Sequence, residues 1–359
     1  MRKMRKSALG GIPMKIKILC LTLVMLLIFS GCGSTQAETP TEAPTEAALA
    51  PTELPIPEAA PEETESVYVD AVELDIQQIE QEAAILEEPA EPAIPDILEP
   101  VASGELVQET EQVIIDYSNT SDGYVMVLFK GETSKRLKVQ VKSSTTYTYN
   151  LPQQQWTVFP LSDGNGHYQV KVFINTSGSQ YSLLTAVEQD VTLADEFAPF
   201  LRPNQYVDYS AASKAVETAW EITKDIENPL GKVEAVYNYV VKELTYDNEK
   251  AATVKSGYIP VLDNVLEEKK GICFDYASLM TGMLRSQGIP CKMVFGYVGT
   301  AYHAWISVWS EETGWVDTIY FDGLSWKQMD PTFASGALHS GAGSKELGSG
   351  MVYTSKYQY

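Results

Sequence analysis

The stretch from Cys273 to Gln287 most constrains what this chain can fold into, because it is apolar on nearly every side. A helix of that composition has no face suited to solvent and must lie inside a folded domain. Gly288 and Pro290 follow it directly, and these residues commonly end a helix. A strand-like run then opens at Cys291. The sequence therefore predicts a central buried helix followed by a sheet.

Three shorter helices are predicted ahead of this one. Ser210 can cap a helix that carries Ala215 on its apolar face, and Pro229 suits the first position of a second helix. A third helix is predicted near residues 263–268. Helices followed by strands is the order of an α+β fold. We assign residues 205–335 to one such unit, the α+β domain.

Residues 108–195 are predicted to form an antiparallel β-sandwich of immunoglobulin-like type, the β domain. Short β-branched or aromatic runs, such as 124–129 and 168–173, alternate with turn-forming segments such as 119–123 and 162–166. Several strands at this spacing are typical of a sandwich. Nothing in the run suggests catalysis, so we expect the β domain to provide spacing or ligand contact.

Residues 1–32 have the pattern of a secretory signal. A basic start is followed by an apolar run over 18–29 and by small residues before Cys32. The end of this segment resembles a bacterial lipobox, which implies lipidation of Cys32 and anchoring to the outer side of a membrane. Ordinary secretion with an unmodified Cys32 stays open, as does translation from Met14.

Residues 33–107 are predicted to be a disordered, acidic tether. No lysine or arginine occurs from Ser34 to Phe129, and proline, glutamate and threonine are abundant there. Such a composition buries too little apolar surface to offset the entropy of ordering. The formal net charge of −22 comes mostly from this segment and argues against nucleic acid as a partner. Residues 336–359 are predicted to be a Gly/Ser-rich tail.

The cysteines point to one functional thiol. Cys20 would leave with the signal and Cys32 would carry lipid, so Cys273 and Cys291 remain. A disulfide between these two would abolish any nucleophile. Cys291 opens a strand and is interpreted as a buried small hydrophobe, which leaves Cys273 as the candidate.

Cys273 is predicted to lie at the first turn of the central helix. Unpaired amide groups and the positive end of the helix dipole stabilise a thiolate there, and the thiolate is the attacking species. The same amides suit an oxyanion. Gly271 is expected to leave room for a substrate carbonyl. A buried structural cysteine is the alternative interpretation.

His303 and Asp330 are the candidate base and orienting acid. His303 begins a strand beside indoles, where an imidazole can act near neutral pH. His339 is a weaker candidate because it lies in a Gly/Ser-rich stretch. Asp330 ends a strand-like run, with Asp317 and Asp322 as competitors.

The proposed site sets a condition on the sheet. If strand 302–309 pairs antiparallel with strand 325–330, His303 and Asp330 become neighbours at one edge. If 314–321 instead inserts as a middle strand, the two residues lie far apart. The site requires the first arrangement.

The chain resembles the transglutaminase-like cysteine enzyme family over about residues 210–335. Its landmarks here are Gly271-x-Cys273-x-x-Tyr276-Ala277, Arg285-Ser-Gln-Gly-Ile-Pro290, Gly296-Tyr297, His303-Ala-Trp305 and Asp330-Pro-Thr332. The resemblance implies a papain-like catalytic domain in which Cys273 is the nucleophile, His303 its base and Asp330 the orienter. Active members form a thioester from a carboxamide, which water or an amine resolves; other members are inactive scaffolds. Four tryptophans are candidates to wall a tunnel to that thioester: Trp305, Trp309, Trp315 and Trp326.

The leading functional hypothesis is a surface-anchored thiol amidase, peptidase or acyltransferase acting on extracellular protein or cell-wall peptide. A cell-wall endopeptidase of Cys-His-His type is disfavoured, because its usual Asp-Cys-Ser-Gly start is absent. A non-catalytic surface-binding lipoprotein that keeps the fold as a scaffold is the other alternative. No metal-binding pattern stands out, so no cofactor is predicted.

Overall fold

The computed structural model describes residues 93–311, 313–317, 319–321, 326–328, 330–340 and 352–359. The predicted signal, with Cys32, and most of the predicted tether lie outside these residues. No helix within the described ranges is long and apolar enough to cross a membrane.

The β domain consists of two four-stranded antiparallel sheets. One sheet has the order β1-β2-β3-β6 and the other the order β5-β4-β7-β8. The strands are β1 (Val107–Glu109), β2 (Val113–Asp116), β3 (Tyr124–Phe129), β4 (Leu137–Lys142), β5 (Thr146–Asn150), β6 (Thr157–Pro160), β7 (Gly166–Ser177) and β8 (Gln180–Val191). Alternate residues of β4 are buried, and they join the core formed with the other sheet. The predicted antiparallel β architecture is confirmed.

The last part of the predicted tether is folded against the β domain. The amide of Gly104 donates to Asp116 Oδ2 at 2.7 Å, and the amide of Val101 donates to the Tyr124 hydroxyl at 3.1 Å. The prediction of a disordered tether over 33–107 is therefore wrong for this end. Side chains of the β domain satisfy its backbone, so that order does not depend on hydrophobic residues alone.

The described part of the α+β domain contains these α-helices: α1 (Lys214–Thr223), α2 (Pro229–Glu243), α3 (Asn248–Thr253), α4 (Leu262–Glu268), α5 (Cys273–Arg285) and α6 (Pro331–Ser340). Four of them, α1, α2, α4 and α5, correspond to the predicted helices, whereas α3 and α6 were not predicted. Every residue of α5 from Asp275 onward is buried, as its composition predicted. Gly288 follows with a φ of +73°, a conformation that suits glycine at a helix end.

Helix ends in this domain are held by side chains. Pro229 occupies the first turn of α2, where the Asn228 side chain accepts from the Leu230 amide at 3.0 Å. The cap of α1 is Ser213 rather than the predicted Ser210. The α1 amides instead donate to the carboxylate of Asp263, which belongs to α4. A contact that distant in sequence leaves no local signal.

The main sheet of the α+β domain has the order β13-β12-β11-β16. Its strands are β11 (Cys291–Val298), β12 (Ala301–Ser310), β13 (Gly314–Asp317) and β16 (Tyr353–Gln358). Two small pairs accompany it: the parallel pair β9 (Thr245–Tyr246) with β10 (Lys270–Gly271), and the antiparallel pair β14 (Ile319–Phe321) with β15 (Trp326–Gln328). Helices followed by strands confirm the α+β prediction.

The predicted tail over residues 336–359 is wrong at both of its described ends. Residues 336–340 complete α6, and residues 353–358 form β16, which pairs antiparallel with β11. A Cβ on Gly296 would overlap the carbonyl of Thr354 and would lie 2.6 Å from the Trp305 indole. Glycine at that position therefore allows β16 to approach.

The β domain and the α+β domain belong to one compact unit. The rings of Tyr147 and Tyr149, from β5, pack on Tyr359 at centroid distances of 5.4 and 5.7 Å. Tyr149 also contacts Tyr206, in the connection between the domains, at 5.5 Å. The β domain is therefore part of the packing around the α+β domain rather than only a spacer.

Arg285 joins three segments of the chain at the end of α5. Its buried guanidinium donates to the carbonyls of Cys291 at 2.9 Å, Arg202 at 2.7 Å and Tyr359 at 2.6 Å. These bonds satisfy a charge that would otherwise be costly to bury. They tie β16 and the interdomain connection to the central helix.

Candidate active site

Cys273 is the first residue of α5, as the sequence predicted, and its thiol is free and half-buried. The N–H groups of a first helical turn have no intrahelical partner and point outward. The thiol therefore sits where amide donors and the helix dipole favour a negative charge.

His303 is buried and lies in β12, with its ring held between other rings. Its centroid is 5.3 Å from that of Phe333 and 6.4 Å from that of Trp305, with interplanar angles of 29° and 19°. Nε2 of His303 lies 2.7 Å from Oδ2 of Asp330. This leaves Nδ1 as the ring nitrogen available to Cys273.

The surroundings of His303 favour its protonated form. Burial alone would lower the pKa of His303, but hydrogen bonds to Asp330 and to Cys273 outweigh it and raise that pKa to about 10. An imidazolium beside a sulfur stabilises the thiolate by charge attraction. A protonated His303 would therefore place a positive charge beside the Cys273 sulfur.

Asp330 is oriented by the start of α6. Its Oδ1 accepts from the Thr332 amide at 2.8 Å, and its carbonyl accepts from the Ala334 amide at 3.0 Å. Pro331 takes the first helical position, which needs no donor. One carboxylate oxygen thus caps a helix while the other binds His303, so the acid is fixed at both atoms.

The condition that strand 302–309 must pair with strand 325–330 for the site to form is wrong. β12 instead pairs with β13, and the segment then forms the separate pair β14–β15 before reaching Asp330. His303 and Asp330 nevertheless lie 2.7 Å apart. Asp330 reaches the histidine from a helix N-terminus, so the contact does not require the two strands to be neighbours.

Tyr353 is a residue of this site that sequence reasoning missed. Burial, and then the charge of Asp330 and a hydrogen bond to it, raise the pKa of Tyr353 well above its ordinary value. Its ring packs edge-on against Trp305 at 5.2 Å. Sequence analysis placed this residue in a Gly/Ser-rich tail and therefore did not consider it. The tyrosines at 353, 357 and 359 were a sign that this end of the segment could form a strand.

Gly271 is explained by Asp275 rather than by a substrate. A Cβ on Gly271 would lie 2.5 Å from the Asp275 Cβ. The Asp275 carboxylate is fully buried and accepts from the Ile272 amide at 2.7 Å. The expected space for a substrate carbonyl is therefore filled by the side chain that holds this turn.

The other sequence candidates are not among the partners of His303 in the described residues. Cys291 is fully buried and unpaired, and burial raises its pKa to about 11, which confirms the structural interpretation. His339 belongs to α6 and contacts the carbonyl of Ser335 at 2.9 Å. Asp317 is exposed in β13, and Asp322 lies outside the described residues.

Trp305, Trp309 and Trp315, whose side chains the structure describes, do not form the expected wall. Trp305 is 1% exposed and packs beside His303. Trp309 and Trp315 pack against Phe197 in the connection between the domains. The side chain of Trp326 lies outside what the structure describes. Packing, rather than access to a thioester, accounts for Trp309 and Trp315.

A cleft of about 300 Å³ is lined by Phe274 and Tyr302, the sequence neighbours of Cys273 and His303. Lys138, Thr148 and Asn150, all from the β domain, also line it. Both domains therefore contribute to this cleft. Within the described residues, no cluster of three or more His, Cys, Asp or Glu could hold a metal ion.

Known proteins match this chain at the level of the α+β domain. Residues 216–331 match the Transglutaminase-like superfamily. Over 117 residues the chain is 32% identical to the uncharacterized protein YebA of Bacillus subtilis. This alignment covers 27% of this chain and 16% of YebA. Over 74 residues it is 34% identical to a protein-glutamine gamma-glutamyltransferase of Pseudomonas aeruginosa, which covers 16% of this chain and 11% of that protein.

A solved structure of a proposed cysteine protease from Cytophaga hutchinsonii is 15% identical, with a TM-score of 0.32, and covers 71% of this chain and 81% of that one. A likeness this weak adds nothing to the argument from the residues. The chain spans only 16% and 11% of the length of the two curated relatives. Residues 216–331 thus form a transglutaminase-like core domain, and the rest of the chain falls outside that match.

Proposed function

We propose that this protein is a thiol enzyme that cleaves or transfers amide groups through Cys273, His303 and Asp330. The observation that carries the proposal is His303, which bonds to the Asp330 carboxylate at 2.7 Å and interacts with Cys273. A nucleophile, a base and an orienting acid in one chain of contacts are what covalent acyl chemistry needs.

The reaction follows from these positions. The Cys273 thiolate attacks the carbon of a substrate carboxamide, and the oxyanion forms near the first-turn amides of α5. The C–N bond then breaks as Nδ1 of His303 gives its proton to the leaving nitrogen. Ammonia or an amine departs, and a thioester remains. Water or a second amine attacks the thioester, His303 accepts the incoming proton, and the thiolate is restored.

We also propose that this chemistry takes place outside the cell, on protein or cell-wall peptide. The support is the signal-like segment 1–32, the lipobox-like Cys32 and the acidic composition that follows. Lipid on Cys32 would hold the enzyme at the membrane surface. Changing Cys32 to Ser should release the protein into the medium; retention in the membrane fraction would contradict lipid anchoring.

Incubation with a glutamine peptide, with and without a primary amine, tests the reaction. Ammonia release alone would indicate hydrolysis, and incorporation of the amine would indicate acyl transfer. Cys273→Ala should abolish either product, whereas Cys291→Ala should retain it because that thiol is buried and unpaired. Equal turnover by Cys273→Ala would remove the proposal.

A non-catalytic scaffold is the competing function. It predicts no turnover and no faster alkylation of Cys273 than of an ordinary exposed thiol. The contacts of His303 with Cys273 and Asp330 argue against a scaffold, because a scaffold does not need a thiol, an imidazole and a carboxylate that contact one another in turn.

A further inference from the structure

A second charged cluster lies directly behind the nucleophile. Asp275, two residues after Cys273, is fully buried and forms an ion pair of 2.8 Å with Lys250 of α3. The Tyr258 hydroxyl lies 2.5 Å from its other oxygen and accepts from Lys250 at 2.6 Å. The cluster therefore joins the segment 248–258 to the turn that presents the thiol.

Asp275 stabilises the backbone ahead of Cys273, but its negative charge disfavours the Cys273 thiolate. Its carboxylate accepts from the Ile272 amide at 2.7 Å, which fixes the residue ahead of the nucleophile. A carboxylate in the same helical turn as Cys273 is also a like charge for the thiolate, and like charges nearby disfavour ionisation. In a buried site that repulsion is weakly screened.

Lys250 is placed to cancel this repulsion. Its side chain is only 22% exposed, and its ammonium lies 2.8 Å from the Asp275 carboxylate. Burial alone would lower the pKa of Lys250, but the bonds to Asp275 and Tyr258 outweigh it and raise that pKa, so the charge is kept. The opposite charges of Lys250 and Asp275 therefore cancel within the pair.

Other ionisable groups also face Cys273 from the neighbouring elements. They are His303 of β12 with its partner Asp330, Tyr302 of β12, and Tyr246 of β9, which is influenced by Asp247 as well. His303 is the group that supplies the compensating positive charge to the thiolate. None of these groups bonds to Asp275, so Lys250 is the cation that offsets it among the described residues.

We propose that Lys250 is a positioning residue for the nucleophile: it neutralises Asp275, so that this carboxylate can hold the Ile272 amide without opposing the Cys273 thiolate. The inference rests on the proposed function only in taking Cys273 as the nucleophile. It predicts opposite effects for removal of the two charges. A purely structural role predicts effects in the same direction.

Site-resolved alkylation of the full chain by iodoacetamide, followed by mass spectrometry across pH, measures these effects without a substrate. Lys250→Met should move the midpoint for Cys273 upward by about 1 pH unit, and Asp275→Asn should move it downward by a similar amount. The double variant should return close to the unaltered protein. Lys269→Met, which removes an exposed lysine paired with Glu243, is the matched control and should not move the midpoint.

Asp275→Asn is nearly isosteric, and the Tyr258 hydroxyl can reverse to accept from the new amide. It therefore carries the test if Lys250→Met does not fold. Midpoints that stay within experimental error in both single variants, or that move in one direction in both, would overturn the inference. If Cys273 of the unaltered protein instead alkylates no faster than a free thiol, the proposed function itself fails.

Discussion

The β domain and the α+β domain differ in what their buried residues do. In the β domain most buried side chains are apolar and follow from alternation along strands, although Asp116 is also buried there. In the α+β domain, three charged side chains important to the site are almost fully buried: Asp275, Asp330 and Arg285. Each is satisfied by partners far away in sequence. One domain is thus held by a repeating pattern, and the other depends on individual polar contacts.

The largest expected effect lies in the polar contacts of the α+β domain. Asp330→Asn should lower kcat/KM by at least about 100-fold, because an amide cannot stabilise the imidazolium of His303 as a carboxylate does. The measurement is steady-state turnover of the glutamine peptide. Asp317→Asn, an exposed carboxylate in β13, is the control and should retain turnover. Unchanged kinetics in Asp330→Asn would show that this contact is only structural.

A substitution at Tyr149 tests how much the aromatic packing between the two domains contributes to stability. Tyr149→Ala should lower the free energy of unfolding by about 3–5 kcal/mol, as removal of a large buried aromatic ring does. Because Tyr149 packs on both Tyr206 and Tyr359, we expect both domains to unfold in one transition. Val139→Ala removes a smaller buried group within the β domain and serves as the comparison. Two separate transitions in the unaltered protein would contradict shared packing.

The pH dependence of stability should reveal the contribution of the His303–Asp330 contact in the α+β domain. The pKa of His303 is raised from 6.5 to about 10 in the folded protein. Its contribution is therefore full below about pH 6.5 and is lost as pH rises through about 10, with a total of a few kcal/mol at most. Chemical denaturation at pH 6, 8 and 10 should show this decline, and Asp330→Asn should flatten it. A steeper decline in the variant would contradict the assignment.

The smallest effect on turnover is expected for Tyr353 in β16. Tyr353→Phe should lower kcat by about 10-fold with little change in KM, since a hydrogen bond to a charged group contributes ~1.5 kcal/mol. Its hydroxyl hydrogen-bonds with Asp330, and Tyr353 is not among the residues that line the cleft beside Phe274 and Tyr302. Tyr297→Phe, an exposed tyrosine on β11, provides the control. A change confined to KM would mean that Tyr353 acts on substrate binding instead.

Several features could be predicted because their signals are local. The strands of the β domain and the buried α5 follow from hydrophobic period and composition. The placement of Cys273 at the start of α5 follows from the same pattern. Asp330 shows that one local signal can fit two structures: Asp followed by Pro can end a strand, but Asp at a cap and Pro at the first position also start a helix, as here.

The sequence by itself determined the α+β order, the buried central helix and the presence of a cysteine, a histidine and an acid suited to covalent catalysis. Only the tertiary structure decided that Asp330 reaches His303 from a helix end, that β16 brings Tyr353 to that acid, and that Lys250 lies against Asp275. Periodicity and capping act over a few residues, whereas these contacts join segments separated by more than twenty. They depend on how whole elements pack, which no local pattern records.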